Sequence, residues 1–416
     1  MIEVLRNPSY RKLFSAQVVA LIGTGLLTVA LGLLAFDIAG GDAGFVLGTA
    51  LTIKMLAYVG VAPIIAALTG RIPRKLLLIS ADVLRAGVAF SLPFVTEVWQ
   101  VFVLIFVLQA ASATFTPAFQ AVIPDVLPDE KQYTRALSLS RLAYDLEALA
   151  SPILAAILLG IMSYHRLFVG TAVGFVASAA LVLATVFPRL RPAPQTPFFE
   201  RLTRGVRVFR RTPELRGLLA MNLVVATSTA MVIVNTVVLV QGLLQRPQTD
   251  VALLLAAYGA GSMLVALALP KILDTLPDRP IMLAGATALP IGLIATAALT
   301  AVPATGYAWA ALLVVWCLLG ASTSLILTPS ARLLRRSSDE MSRPAVFAAQ
   351  FSFSHACFIL TYPAAGILGS VLGLPTTAVI LAAIGILAGV AARLAWHTPS
   401  PPSELAAQPS PSAETA

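Results

Sequence analysis

Twelve apolar runs of roughly membrane length recur along this chain, separated by short polar breaks. They cover residues 13–36, 45–69, 76–95, 98–115, 139–160, 167–187, 217–240, 251–270, 281–302, 307–327, 345–371 and 375–396. A helix rises about 1.5 Å per residue, so about 20 residues cross a hydrocarbon core. Within lipid each backbone N–H and C=O must be paired inside the protein, which leaves helices or a closed barrel. Barrel strands alternate lipid-facing and lumen-facing side chains, and these runs do not alternate. The expected fold is therefore all-α, with twelve transmembrane helices. Only 11% of the residues are charged, against about 25% in a soluble domain. Arg6, Arg11 and Lys12 precede the run from Leu13 to Phe36. That run exceeds the roughly 7–15 residues of a signal-peptide core, so it reads as the first span.

The net charge of +9 acquires a direction once the runs are treated as spans. With the N-terminus in the cytoplasm, all but four of the 28 lysines and arginines fall on the cytoplasmic side. They lie in segments 1–12, 70–75, 117–141, 188–216, 271–280 and 328–344, and at Arg393. The exceptions are Arg166 and Arg246 outside, and Lys54 and Arg85 within spans. This is the positive-inside pattern, and it places both termini in the cytoplasm. The basic residues then face anionic lipid, and no nucleic-acid partner is expected. Cys317 and Cys357 lie inside apolar runs and form no CxxC motif.

The longest break, 188–216, carries Pro188, Pro192, Pro194 and Pro197. After these, Leu202, Val206, Phe209 and Pro213 recur at helical spacing among arginines. That pattern predicts an amphipathic helix on the inner membrane surface. The expected organisation is a six-helix half over 1–187, a basic linker over 188–216, a second six-helix half over 217–396 and a disordered tail over 397–416. Weak internal matches support the division. Gly70 to Ile79 aligns with Asp274 to Leu283, Thr116-Pro117 with Thr328-Pro329, and Asp129-Glu130 with Asp339-Glu340. Their similar offsets describe a parallel six-plus-six repeat.

Lipid also makes intramembrane polar groups informative, because each ionisable one is costly there. Asp82 and Arg85 are three apart on span 3, and Arg141 and Asp145 four apart on span 5. Both spacings favour local ion pairs that brace the bundle. Glu147 sits about 12 Å into span 5 and has no basic residue three or four positions away. It points away from Asp145 on the same helix. A carboxylate in that setting is suited to taking up a proton or finding a cation across the bundle. Lys54 lies about 14 Å into span 2, and His355 about 15 Å into span 11. Glu147, Asp145 and Lys54 are the proton-coupling candidates. His355, Asn222, Asn235, Gln109 and Gln17 are the substrate candidates. Of these only His355 is a candidate metal ligand, and no HxxxH spacing accompanies it. Asn222, Thr229 and Thr236 recur every seven residues on span 7, a stripe that either faces water or bonds a neighbouring helix. No Walker, HExxH or Ser-His-Asp arrangement is present, so no ATP drive, enzyme activity or cofactor is expected.

The stretch Ala66 to Lys75 resembles the signature that follows the second span in the major facilitator superfamily. Arg71, Arg74 and Lys75 match it, while Gly70 stands where that family has an aspartate. Asp274 holds the equivalent place in the second half. The resemblance implies two six-helix halves that rock about a central site, with spans 2 and 11 facing each other. Arg71, Arg74, Lys75, Asp82, Arg85, Arg141, Asp274 and Arg279 would then be gate or bracing charges. Segments Asn7–Arg11, Thr116–Gln120, Ile123–Glu130 and Arg135–Leu142 resemble the branch of bacterial efflux carriers that includes enterobactin and macrolide exporters. Ala348–His355 and Thr361–Gly366 are similar to the nickel-resistance exporters of that branch, although Thr398–Ala416 holds no histidine. These likenesses imply a monomeric secondary exporter of the bacterial inner membrane. It would exchange protons for a transition-metal cation such as nickel, or for a metallophore, siderophore or amphipathic drug. A non-transporting sensor on the same fold is the reading from a different class.

Overall fold

Asn7 starts the first long helix by accepting hydrogen bonds from Ser9 N and Tyr10 N at 3.0 and 3.1 Å, with Pro8 in the first turn. From there the computed structural model describes residues 2–61, 73–187, 198–273, 275–301, 308–338 and 343–396. The first group of helices is α1 (Pro8–Ala39), α2 (Ala43–Leu56), α3 (Arg74–Ser91), α4 (Val98–Val126), α5 (Glu130–Leu159) and α6 (His165–Leu183). Helix α7 (Phe198–Arg211) falls in the basic linker. The second group is α8 (Pro213–Val237), α9 (Gln248–Ile272), α10 (Asp278–Ala301), α11 (Ala308–Arg336), α12 (Arg343–Leu372) and α13 (Leu374–Ala395). Spans 1–6 thus correspond to α1–α6, and spans 7–12 to α8–α13. No strand occurs among the described residues.

Ten helical stretches among the described residues are long and apolar enough to cross a membrane. One of them, Pro8–Gly60, contains both α1 and α2, and α5 contributes the shorter apolar stretch Ala150–Leu159. Several helices outrun their apolar runs at the basic end. Helix α4 continues to Val126, α5 begins at Glu130, and α11 reaches Arg336. Hydropathy falls in these extensions, but one apolar face persists. Phe119, Val122, Ile123 and Val126 bury against Tyr10, Leu13, Ala136 and Leu139 in a core of their own. Large apolar side chains elsewhere point outward, including Phe94 and Trp99, as expected where lipid is the solvent.

The packing has an internal repeat. In the first group α1 packs on α5 and α6, α3 on α4 and α6, and α2 on α4. In the second group α8 packs on α12 and α13, α10 on α11 and α13, and α9 on α11. Each pairing of the first group has its counterpart six spans later. Between the groups, α2 packs on α12 and α5 on α9. The α2–α12 crossing is close because glycines meet backbone there. A Cβ on Gly48 would lie 2.6 Å from the Tyr362 carbonyl, and one on Gly366 would strike the Gly44 carbonyl. This seal lies at the end of the bundle opposite the basic segments. At the basic end, Lys12 donates to Ala184 O and Lys75 to Thr185 O, while Arg332 and Arg336 pair with Asp278. Those bonds stay within one group. Helix α7 lies against the basic end of α12. Gly205 abuts the Ala345 backbone, and Phe209 meets Phe353 edge-on with ring centroids 5.2 Å apart.

Candidate functional site

Helix α2 leaves regular α geometry just after Lys54. Residues Ala57–Val61 form a π-helical turn, which presents Tyr58 toward α12. Such turns are frequent at functional positions. The Tyr58 ring lies 5.8 Å from the His355 ring and 6.3 Å from that of Phe351. Phe351 and His355, one turn apart on α12, stack at 3.9 Å. The His355 Nδ1 is 2.7 Å from the Phe351 carbonyl oxygen. A carbonyl only accepts, so Nδ1 carries the proton in that bond and Nε2 is left with the lone pair. Lys54 lies close enough to both Glu147 and His355 for its charge to act on each. Tyr58 senses Glu147 and Tyr144 of α5 in the same way. Residues from α2, α5 and α12 therefore converge where the two helix groups meet.

Glu147 has room because α1 offers a glycine opposite it. A Cβ on Gly25 would lie 2.7 Å from Glu147 Oε1 and would strike Ser151, one turn further along α5. The Ser151 hydroxyl is buried with no hydrogen-bond partner. Among the described residues, no group of three or more His, Cys, Asp or Glu side chains is placed to hold a metal. His355 is thus without the additional ligands that a tetrahedral site would take from such residues.

The neutral polar candidates are largely engaged within their own helix group. Gln17 accepts from Ser140 Oγ at 2.9 Å, which ties α1 to α5. Asn222 and Gln350 exchange amide hydrogen bonds of 3.1 and 3.0 Å between α8 and α12. Asn235 donates to the Ala365 carbonyl at 3.1 Å, beside the glycine seal. Gln109 is buried in α4. On α8, Thr236 accepts from Trp316 Nε1 at 3.0 Å, and Thr229 lies 3.4 Å from the Tyr258 hydroxyl.

The bracing charges sort differently. Asp82 pairs with Arg85 on α3 and also accepts from Ser178 Oγ of α6 at 2.7 Å. The Arg85 guanidinium lies 4.2 Å from the Phe115 ring centroid and 4.5 Å from that of Phe175. Lys75 caps the end of α6 through Thr185 and lies over Phe187. Arg74 opens α3. Arg279 has a buried Nε with no hydrogen-bond partner. Arg71 and Asp274 lie outside the described residues, as do the side chains of Arg141 and Asp145. Sequence reasoning passed over Asp278, which is buried and faces Arg332 at 3.6 Å and Arg336 at 3.2 Å. The i, i+4 spacing of those two arginines was the available signal. Tyr58 carries no such signal in the sequence, because a phenol is neutral at pH 7 and does not stand out in an apolar span as a charged group does.

The Major Facilitator Superfamily pattern matches residues 13–289 and, in a second match, 218–414. Macrolide efflux protein A of Streptococcus pyogenes is 27% identical over 215 residues, which is 50% of this chain and 52% of that protein. Macrolide efflux protein A of Enterococcus faecalis is 28% identical over 186 residues, 42% of this chain and 57% of that protein. The chain spans about half the length of the curated relatives it matches. Among solved structures, a bacterial homologue of the human lysosomal transporter Spinster, inward-facing and occupied, superposes with a TM-score of 0.74. It has 12% identity and covers 94% of this chain and 96% of that one. The nucleoside transporter NupG superposes with a TM-score of 0.73 at 12% identity, covering 93% of this chain and 100% of that one. Two family matches that together reach across both helix groups, and a shared fold over nearly the whole chain, place it: this protein belongs to the Major Facilitator Superfamily.

Proposed function

We propose that this protein is a proton-coupled exporter that works by alternating access and takes amphipathic organic compounds outward. The observation that carries this reading is the convergence of Lys54 and Glu147 from one half with His355 from the other, across Tyr58. A carboxylate within the field of an amine in a low-dielectric site can answer that charge or take up a proton, and substrate arriving between them can tip the choice. Because the partners sit on different halves, rocking the halves would alter their fields on one another. The seal of α2 on α12 at the charge-poor end supports an inward-open state, with the basic end in the cytoplasm.

The ring cluster supports this choice of substrate class. Tyr58, Phe351 and His355 give an aromatic wall with few anionic groups, which suits a flat or amphipathic organic molecule. The partial matches to macrolide efflux proteins support the same reading, within the half of their length that aligns. A transition-metal cation such as nickel is the second reading, supported by the free lone pair of His355 Nε2. As cargo, such an ion would pass through rather than reside.

The test is uptake into inverted membrane vesicles with and without an imposed proton gradient. An organic dye or macrolide should accumulate only with the gradient, and Glu147→Gln should reduce that accumulation at least to roughly the hundredth part expected when an acid–base group is lost. Gradient-dependent nickel uptake abolished by His355→Ala, with no organic uptake, would select the second reading. Wild-type flux in Glu147→Gln would remove Glu147 from coupling.

A further inference from the structure

A groove with a cavity volume of 510 Å³ runs along the outside of the second helix group between α10 and α13, away from the Lys54 cluster. Pro290 interrupts the hydrogen-bond ladder of α10, and the facing positions on α13 are glycines. Gly385 faces the Pro290 ring and Gly389 the Ala286 carbonyl. Small residues there leave the depression unfilled. Its apolar wall is open to the outside, with Ile291 60% and Val390 51% exposed. At one end of this apolar trough stand two cations, Arg279 on the first turn of α10 and Arg393 on the last turn of α13. The antiparallel register set by the two glycine contacts places Arg393 beside Met282, one turn from Arg279.

Among the described residues, neither Arg279 nor Arg393 is in an ion pair. The neighbouring Asp278 is taken by Arg332 and Arg336. Arg279 keeps a buried Nε without a partner, and the start of α10 adds partial positive charge. An apolar trough in the bilayer that ends in two guanidinium groups at the basic face matches one kind of molecule: an acyl chain joined to an anionic phosphate. We propose that the groove between α10 and α13 is a binding site for an anionic phospholipid. Its phosphate sits between Arg279 and Arg393, and one acyl chain lies along Pro290, Ile291 and Val390. This assignment does not rest on the proposed transport activity.

The test uses the full chain in detergent, with native mass spectrometry measuring retention of phosphatidylglycerol against phosphatidylcholine of the same chain length. The wild type should favour phosphatidylglycerol roughly thirtyfold, the equivalent of two arginines each acting on a headgroup of net negative charge. Arg279→Gln/Arg393→Gln should bring that preference close to parity. Gly389→Leu keeps both charges but fills the trough, and should lower retention of both lipids. Each variant is first checked for wild-type elution and melting in lipid-free detergent. If the double variant does not fold, Arg393→Gln alone carries the charge arm, since Arg393 is exposed, and should lose about half of the preference on a logarithmic scale. No preference in the wild type, an unchanged preference in the charge variants, or unchanged retention in Gly389→Leu would each overturn the assignment.

Discussion

Two sets of ionisable groups within the spans of this protein are built on opposite plans. Asp82 and Arg85 lie one turn apart on α3, bonded to each other, with Ser178 on the carboxylate and two aromatic rings around the guanidinium. Lys54, Glu147 and His355 stand on three helices drawn from both halves. A pair closed within one helix moves as a unit and gives no sign of what the other half does. A set divided between halves changes its mutual fields whenever they move. The first plan is suited to bracing, and we assign the second to coupling.

The largest expected difference comes from removing one acid from each set. Asp82→Asn leaves Arg85 buried without its counter-charge and should cost about 3–5 kcal/mol of stability. Its measure is unfolding in detergent. Glu147→Gln should shift unfolding far less, while its vesicle flux should collapse. The contrast breaks if Asp82→Asn melts like the wild type, or if Glu147→Gln loses stability on the Asp82 scale. In either case both sets would serve the same purpose.

A smaller effect tests whether the position of Glu147 depends on α1. Gly25→Ala introduces a methyl that strikes Ser151 and crowds Glu147 Oε1. Overpacking of that kind should cost about 1–3 kcal/mol. Ser151→Gly removes the first collision and should restore part of the loss when combined with it. A Gly25→Ala protein with wild-type melting and flux would show that α1 does not confine the carboxylate.

The contrast also shows what the sequence could convey. The spacing of Asp82 and Arg85 contains their whole relation, because a helix fixes which residues share a face. The apolar lengths described the spans for the same reason: membrane thickness acts locally on the chain. Lys54, Glu147 and His355 could be singled out as costly groups, yet nothing in their spacing shows that they converge. Their meeting depends on how α2, α5 and α12 cross, and those crossings are set by glycines such as Gly48 and Gly366. Tyr58 was invisible for a further reason, since it reaches His355 from a π turn that no periodic pattern announces. The extra turns of α4 and α11 do not register as apolar length because they bury only one face, Phe119, Val122 and Ile123 on α4 and Leu333 and Leu334 on α11.

The smallest predicted effect lies in the second half, where polar groups follow the bracing plan without charge. Asn222 and Gln350 bond reciprocally between α8 and α12. Both helices belong to the same half, so the pair should persist as the halves rock. A double-mutant cycle of Asn222→Ala and Gln350→Ala should give a coupling of about 0.6 kcal/mol, the usual worth of an interhelical hydrogen bond in a membrane. The lipid-solvated unfolded chain also finds partners for its amides, which keeps the figure small. The same cycle scored on vesicle flux should show no additional coupling, because neither side chain belongs to the Lys54 set. Strong coupling in flux without coupling in stability would move this amide pair from the bracing plan to the transport path, and would place α8 at the wall of the site.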